Sequence, residues 1–120
     1  MTDMDIEQKI QAAGLNAPRL TPDSIQGVIA GEYYFTAEQG ALANIDVNAR
    51  QPRHASLGCL TICVLLLKNG STVTGESACV SPQNFNEQIG REIARKNAVE
   101  KIWPLEGYLL KQALSEGAAR

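Results

Sequence analysis

Residues 59–80 read "CLTICVLLLKNGSTVTGESACV". Leu60 to Leu67 is a dense β-favouring run, apolar at every position but Thr61, and it is bounded by the dipeptide Asn69-Gly70. Asn-Gly between two such runs predicts a hairpin closed by a two-residue type I′ turn. Placing Lys68 opposite Ser71 then sets Leu66 against Val73 and Ile62 against Ser77. A strand apolar on both faces belongs in the middle of a sheet. The returning strand carries Thr72, Thr74 and Glu76 at alternate positions, so one of its faces is expected to be wet. The same register puts Cys79 near Leu60, on the face opposite Cys59 and Cys63. Three cysteines with no C-x-x-C spacing then read as small buried thiols rather than a disulfide or a metal set.

Downstream, residues 82–103 form the principal helical pattern. Phe85, Ile89, Ile93, Ala94, Ala98 and Ile102 share a broad apolar face. Asn84 with Glu87 three residues on has the form of a capping box, and Ser81-Pro82 is a rival start one turn earlier. Gly90, Ala94 and Ala98 recur every four residues and make a smooth strip. Core packing is the first reading of that strip and a subunit contact the second. Trp103-Pro104 interrupts the pattern, with Trp103 anchoring the last helix to the core. Leu105, Tyr108, Leu109 and Ala113 mark that further helical piece.

Upstream, Ile6, Ile10 and Ala13 predict a helix over 3–13, stopped by Gly14. Thr21-Pro22-Asp23 is a second helix start, and Ile25, Val28 and Ile29 carry that helix to about Glu32 or Tyr34. Tyr33, Tyr34 and Phe35 cannot all face one side, so at least one is expected to be exposed or at an interface. Residues 36–55, with Gly40, Asn44, Asn48 and Pro52, read as a loop, in which "ANIDVNA" (43–49) is compatible with an edge strand. The fold expected is therefore α+β: a small antiparallel sheet built on the hairpin, covered by a long C-terminal helix and short N-terminal helices, in one domain of 120 residues. Residues 1–16 and 115–120 are expected to be flexible.

The chain is 44% hydrophobic and 20% charged, with a formal net charge of −2. That balance argues against a general nucleic-acid binder, which needs a basic excess. No apolar run approaches the roughly 18 residues that span a bilayer, and the acidic N-terminus lacks a signal-peptide pattern. A cytoplasmic protein with no membrane association is expected. A single histidine, His54, and the absence of a nucleophile motif, a phosphate loop or a zinc spacing leave no assembled catalytic or metal chemistry and no cofactor motif. Binding is better motivated. The predicted helix start near Ser81, Asn84 and Asn86 offers free N–H groups and a positive dipole end. Ser77 lies close by, and Arg91 and Arg95 follow at helical spacing. The plain alternative is that Ser81 or Asn84 merely caps while Arg91 and Arg95 pair with Glu87 and Glu92. Tyr34, Arg19, His54 and Ser71 complete the set of candidate ligand-binding residues.

"LTICVLLLKNGSTVTGESACVSPQNFNEQIGREIARKNAVEKIWPLEGYLL" (60–110) and "PRLTPDSIQGVIAGEYYFT" (18–36) closely resemble a small protein family of tailed phages and prophages. The Asn-Gly hairpin with "TGESAC", "SPQNF", "IGREIA" and "IWPLEGY" carries the resemblance. That family is in turn similar to phage anti-defence proteins that counter the Thoeris immune system. The resemblance implies a non-enzymatic homo-oligomer in the cytoplasm of a bacterial host. It would bind a cyclic ADP-ribose isomer, or cyclic oligonucleotides, and hold the ligand uncleaved. Adenine stacking and phosphate donors are then expected at the site. Many relatives carry an aromatic residue right after the Asn-Gly turn, where this chain has Ser71. Either that contact is lost, or Tyr33, Tyr34 or Phe35 supplies it. A second reading is an accessory module that binds nucleic acid or a host protein, since the ββα order with a basic helix loosely resembles double-stranded-RNA-binding domains.

Overall fold

The computed structural model describes residues 2–43 and 54–117. Three antiparallel strands form one sheet in the order β1-β2-β3, with β1 at Ile29–Thr36, β2 at Leu60–Leu67 and β3 at Thr72–Ala78. The α+β architecture is as expected, and β2 is central. Its side chains alternate strictly. Thr61, Cys63, Leu65 and Leu67 are buried, while Leu60, Ile62, Val64 and Leu66 are half-buried on the other face. Helix α5 (Glu87–Glu100) lies across the buried face. Cys63, Leu65, Leu67 and Val73 of the sheet join Ala94, Ala98 and Val99 of α5 in the core, with Ile25 and Ile102 closing it. Each fully buried Leu or Ile here contributes about 1.5–3 kcal/mol.

The hairpin corrects the expected turn. Leu67 N–H donates to the Ser71 carbonyl at 2.8 Å and Gly70 N–H to the Leu67 carbonyl at 2.9 Å. Lys68, Asn69 and Gly70 therefore form a three-residue loop. Gly70 has φ of 90°, and among the described residues no non-glycine residue has positive φ, so a type I′ turn, which needs two, is excluded. The Asn69 side chain accepts from Ser71 N–H at 2.9 Å instead. The longer loop moves the register by one. Leu65 faces Val73, Leu66 faces Thr72 and Ile62 faces Glu76. Cys79 consequently continues the ladder opposite Cys59, its N–H bonded to the Cys59 carbonyl at 3.1 Å, and not near Leu60. All three cysteines are free thiols.

The largest difference lies upstream. The helix expected to reach Glu32 or Tyr34 ends at Gly27 (α2, Pro22–Gly27), and β1 follows at once. β-branched and aromatic residues over 29–36 prefer a pleated surface once β2 offers an edge to pair with. Tyr34 points inward opposite Cys63, and Tyr33, opposite Val64, is 57% exposed on the outer face. Within 36–55, read as loop, Ala37–Ala43 is helix α3 and Ala55–Gly58 a single turn, α4. Thr36 and Gln39 cap α3 reciprocally, with Thr36 N–H to Gln39 Oε1 at 2.9 Å and Gln39 N–H to Thr36 Oγ1 at 3.2 Å. The strand suggested for "ANIDVNA" falls at 44–49 outside the described residues.

The N-terminal helix α1 (Asp3–Ala12) is capped by Thr2, and Gly14 follows it with φ of 69°. The principal helix starts later than expected. Pro82–Asn84 is one 3-10 turn, and the cap of α5 is Asn86 rather than Asn84, its Oδ1 accepting from Ile89 N–H at 3.0 Å. Two helical pieces are present as expected, but the break falls at Lys101, two residues before Trp103-Pro104. Trp103-Pro104 lies in the first turn of α6 (Ile102–Ser115), where the missing proline N–H costs nothing. Among the described residues no helix is long and apolar enough to cross a membrane.

Candidate functional site

The start of α5 meets the Cys59–Thr61 end of β2, and two adjoining hollows flank Phe85 there. The first, about 240 Å³, is lined by Phe35, Glu38, Gln39, Thr61, Glu87 and Arg91 among others. The second, about 160 Å³, is lined by Cys59, Ser77, Cys79, Asn84, Asn86 and Ile89, with Gly90 and Ile93 behind them. Gly90 is what lets the helix come this close. A Cβ there would lie 2.8 Å from Thr61 Oγ1 and 3.6 Å from the Phe85 ring.

Thr61 is the unusual residue of the cleft. It is 2% exposed, and its hydroxyl has no hydrogen-bond partner. A buried polar group left unpaired costs about 1–3 kcal/mol, and this hydroxyl is covered by α5 at Gly90 and not open to the hollow. Arg91 stands opposite. Its guanidinium lies 5.4 Å from the centre of the Tyr34 ring and pairs with Glu87 at 2.7 Å. The Tyr34 hydroxyl donates to Glu32 at 2.8 Å. Burial in the first place, with that bond to Glu32, raises the Tyr34 phenol far above its ordinary value, so it stays neutral.

The charge in this hollow sets what it can hold. Glu38, Glu87 and Arg91 line the same hollow, two carboxylates with one guanidinium. Glu87 also occupies the first turn of α5, where a carboxylate already complements the dipole. A phosphate is poorly served by this lobe alone. A flat, donor-rich group such as a nucleobase edge is better served, with Phe35 and Phe85 as apolar walls and Gln39 and Glu38 as polar partners.

The residues expected to bind ligand do not all gather here. Arg91 lines the first hollow, with Tyr34 beneath its guanidinium; Ser77, Asn84 and Asn86 line the second. Ser81 starts the 3-10 turn and its carbonyl accepts from Cys79 Sγ at 3.1 Å. Arg95, one turn beyond Arg91, is engaged by Glu32 at 2.8 Å and Gln26 at 2.6 Å. That pairing lowers the Glu32 carboxyl and raises Arg95. His54 caps α4, its Nδ1 accepting from Ser56 N–H at 3.2 Å. Arg19 makes a two-point ion pair with Glu7 at 2.6 and 2.8 Å, beside α1. Ser71 sits at the hairpin tip, about 20 Å along β2 from Thr61.

Thr61, Glu38, Gln39, Phe85 and the facing Cys59 and Cys79 lie outside the expected set, whereas Phe35 is one of the three aromatics expected as alternative stacking groups. Thr61 had a signal in the sequence, as the one hydroxyl in an otherwise apolar strand. The others had none, because α3 and the true register bring them in.

A family model matches residues 20–114, which include β1–β3, the whole cleft and α6 up to its last residue. The chain belongs to the phage protein (N4 Gp49/phage Sf6 gene 66) family. Helix α1 lies outside the matched region, and the Glu7–Arg19 pair therefore joins that helix to the loop leading into the match. No curated protein and no solved structure matches the chain.

Proposed function

We propose that this phage-family protein binds a small cyclic nucleotide immune signal of the host, a cyclic ADP-ribose isomer or a cyclic oligonucleotide, and sequesters it without cleavage as an anti-defence protein. The observation that carries the reading is the hollow at the start of α5, walled by Phe35, Phe85 and Arg91 with Gln39 and Glu38 beside them. Such a site suits a nucleobase, and the second hollow beyond Phe85, with Ser77, Asn84 and Asn86, extends the contact toward the rest of a nucleotide. No cleavage step is assigned to any residue of the cleft, and the protein is read as a binder, not an enzyme. The setting is the host cytoplasm, where such signals are made.

The test is a release experiment. The protein is incubated with a panel of cyclic ADP-ribose isomers and cyclic di- and trinucleotides, freed of unbound ligand and heated. One member of the panel should come off intact in stoichiometric amount. Hydrolysed product, or no binding at micromolar protein, sinks the reading.

A protein-binding accessory module is the second reading. It is favoured by the half-open apolar row Leu60, Ile62, Val64 and Leu66 with exposed Tyr33 beside it. A salt-dependent shift of duplex RNA or DNA would point to the nucleic-acid variant of that reading.

A further inference from the structure

Cys59 and Cys79 stand directly across the β2-β3 ladder from one another. Leu60 pairs with Ala78, and one step further the Cys79 N–H donates to the Cys59 carbonyl at 3.1 Å. Facing positions of this hydrogen-bonded kind hold their Cα atoms about 5.5 Å apart, inside the roughly 4.4–6.8 Å that a disulfide spans. Facing residues also share one face of the sheet. Here it is the face that carries Thr61, Cys63 and Leu65, and both cysteines line the second hollow. The three-residue hairpin loop brings the two thiols together, since a two-residue loop would set Cys79 beside Leu60.

The surroundings leave these thiols little other chemistry. None of the residues lining the hollow is charged. Among the described residues no three His, Cys, Asp or Glu side chains are grouped to hold a metal ion. Cys63, the third thiol, is fully buried opposite Gly75, about 13 Å along β2 from Cys59. Reagents in solution can reach the pair from one side. Cys79 is half-exposed next to fully exposed Val80, while Cys59 is buried. The Cys79 thiol donates to the Ser81 carbonyl at 3.1 Å, at the joint that leads into α5.

We propose that Cys59 and Cys79 are a reversible thiol–disulfide site in the wall of the second hollow, oxidised by a small-molecule disulfide. Cys79, as its thiolate, attacks one sulfur of the reagent; a mixed disulfide forms and one reagent thiolate leaves. Cys59, its proton given up to solvent, then attacks the Cys79 sulfur, closes the protein disulfide and expels the second thiolate. The two expelled thiolates take up the two protons. One small disulfide is thus reduced to two thiols, and the protein loses two hydrogens and two electrons. The Cys79 thiol no longer donates to Ser81, and the joint between β3 and α5 becomes covalently tied to the start of β2. The site stands on the sheet register and does not rest on the reading of the cleft as a nucleotide site.

The experiment uses the full chain without nucleotide, so its failure is separate from failure of ligand binding. The folded protein is incubated with oxidised glutathione, quenched in acid, and measured by intact mass, thiol titration in denaturant and peptide mapping. Thiols per chain should fall from three to one, the mass should drop by two hydrogens, and a peptide linked through Cys59 and Cys79 should appear. Excess reduced glutathione should reverse all three. Cys63→Ala should form the same link, and Cys79→Ser should form no disulfide within the chain. The wild-type mapping does not depend on either variant folding. Three thiols that persist, a glutathione adduct at Cys79 that does not resolve, a disulfide between two chains, or a link through Cys63 overturns the proposal.

Discussion

Gly75 of β3 and Ala94 of α5 are in backbone contact. A Cβ on Gly75 would lie 2.2 Å from the Ala94 carbonyl oxygen and 2.3 Å from the Ala98 nitrogen. The small-residue strip of α5 is thus used inside the protomer, where it seats the helix on the sheet. Asn97 holds the same seam, its Nδ2 donating to the Glu76 carbonyl at 2.8 Å. Gly75→Ala should lower the unfolding free energy by about 2 kcal/mol or more, since only backbone can move aside. Urea denaturation of the variant checks this; an unchanged midpoint would mean that helix and sheet sit farther apart.

Thr61→Val separates binding from stability. The change removes an unpaired hydroxyl and keeps the shape, so the unfolding free energy should hold or rise by about 1 kcal/mol. Affinity for the proposed cyclic nucleotide should stay near the wild-type value, because the hydroxyl is covered by Gly90 and makes no bond in the hollow. Calorimetric titration and a thermal melt on the same sample read both.

The two arginines of α5 should behave differently. Arg91→Ala is expected to weaken ligand binding with little effect on the melt, because its pair with Glu87 is an exposed helical one. Arg95→Ala removes the bonds to Glu32 and Gln26 that tie α5 to β1 and α2. It should cost about 1 kcal/mol of stability or less, and leave affinity near the wild-type value.

Glu7 makes the N-terminal helix sensitive to acid. Hydrogen bonds from Arg19 and Gln11 hold its carboxyl down at about 2, below its ordinary 4.5. A carboxyl whose folded pKa is depressed stabilises the fold above the unfolded pKa and loses that contribution as protons bind. The attachment of α1 should therefore be complete above about pH 4.5 and lost as pH falls toward 2. Hydrogen exchange of α1 amides between pH 5 and 2 should follow that window, and Glu7→Gln should remove the part due to this pair, leaving that of Asp5, whose carboxyl is also lowered by its bonds with Thr2.

Gly70→Ala tests the hairpin loop. With φ of 90° at this position, any L-residue there is strained, and the cost should be about 1–2 kcal/mol. A melting point equal to the wild type would contradict the three-residue loop.

The α+β class, the central place of β2 and the wet face of β3 were all legible in period-two patterning, because burial on one or both sides of a strand is written directly in its residue types. The strip Gly90-Ala94-Ala98 was legible for the same reason. The cleft was legible only in part. Arg91, Asn84 and Asn86 were visible as polar groups near a helix start, but Glu38, Gln39 and Phe35 come from segments that read as loop or helix.

Local sequence determined that a hairpin forms at Asn69-Gly70, that helices begin near Thr2 and Thr21, and that chain reversal and capping occur where they do. These depend on neighbours within a few residues. Only the tertiary structure decided that Ile29–Thr36 is a strand, since its preference is expressed by pairing with β2 about thirty residues away. It also decided the one-residue register, which rests on whether the loop holds two residues or three. That single step set Cys79 opposite Cys59. It was likewise tertiary packing that closed Gly90 over Thr61 and left its hydroxyl with no partner.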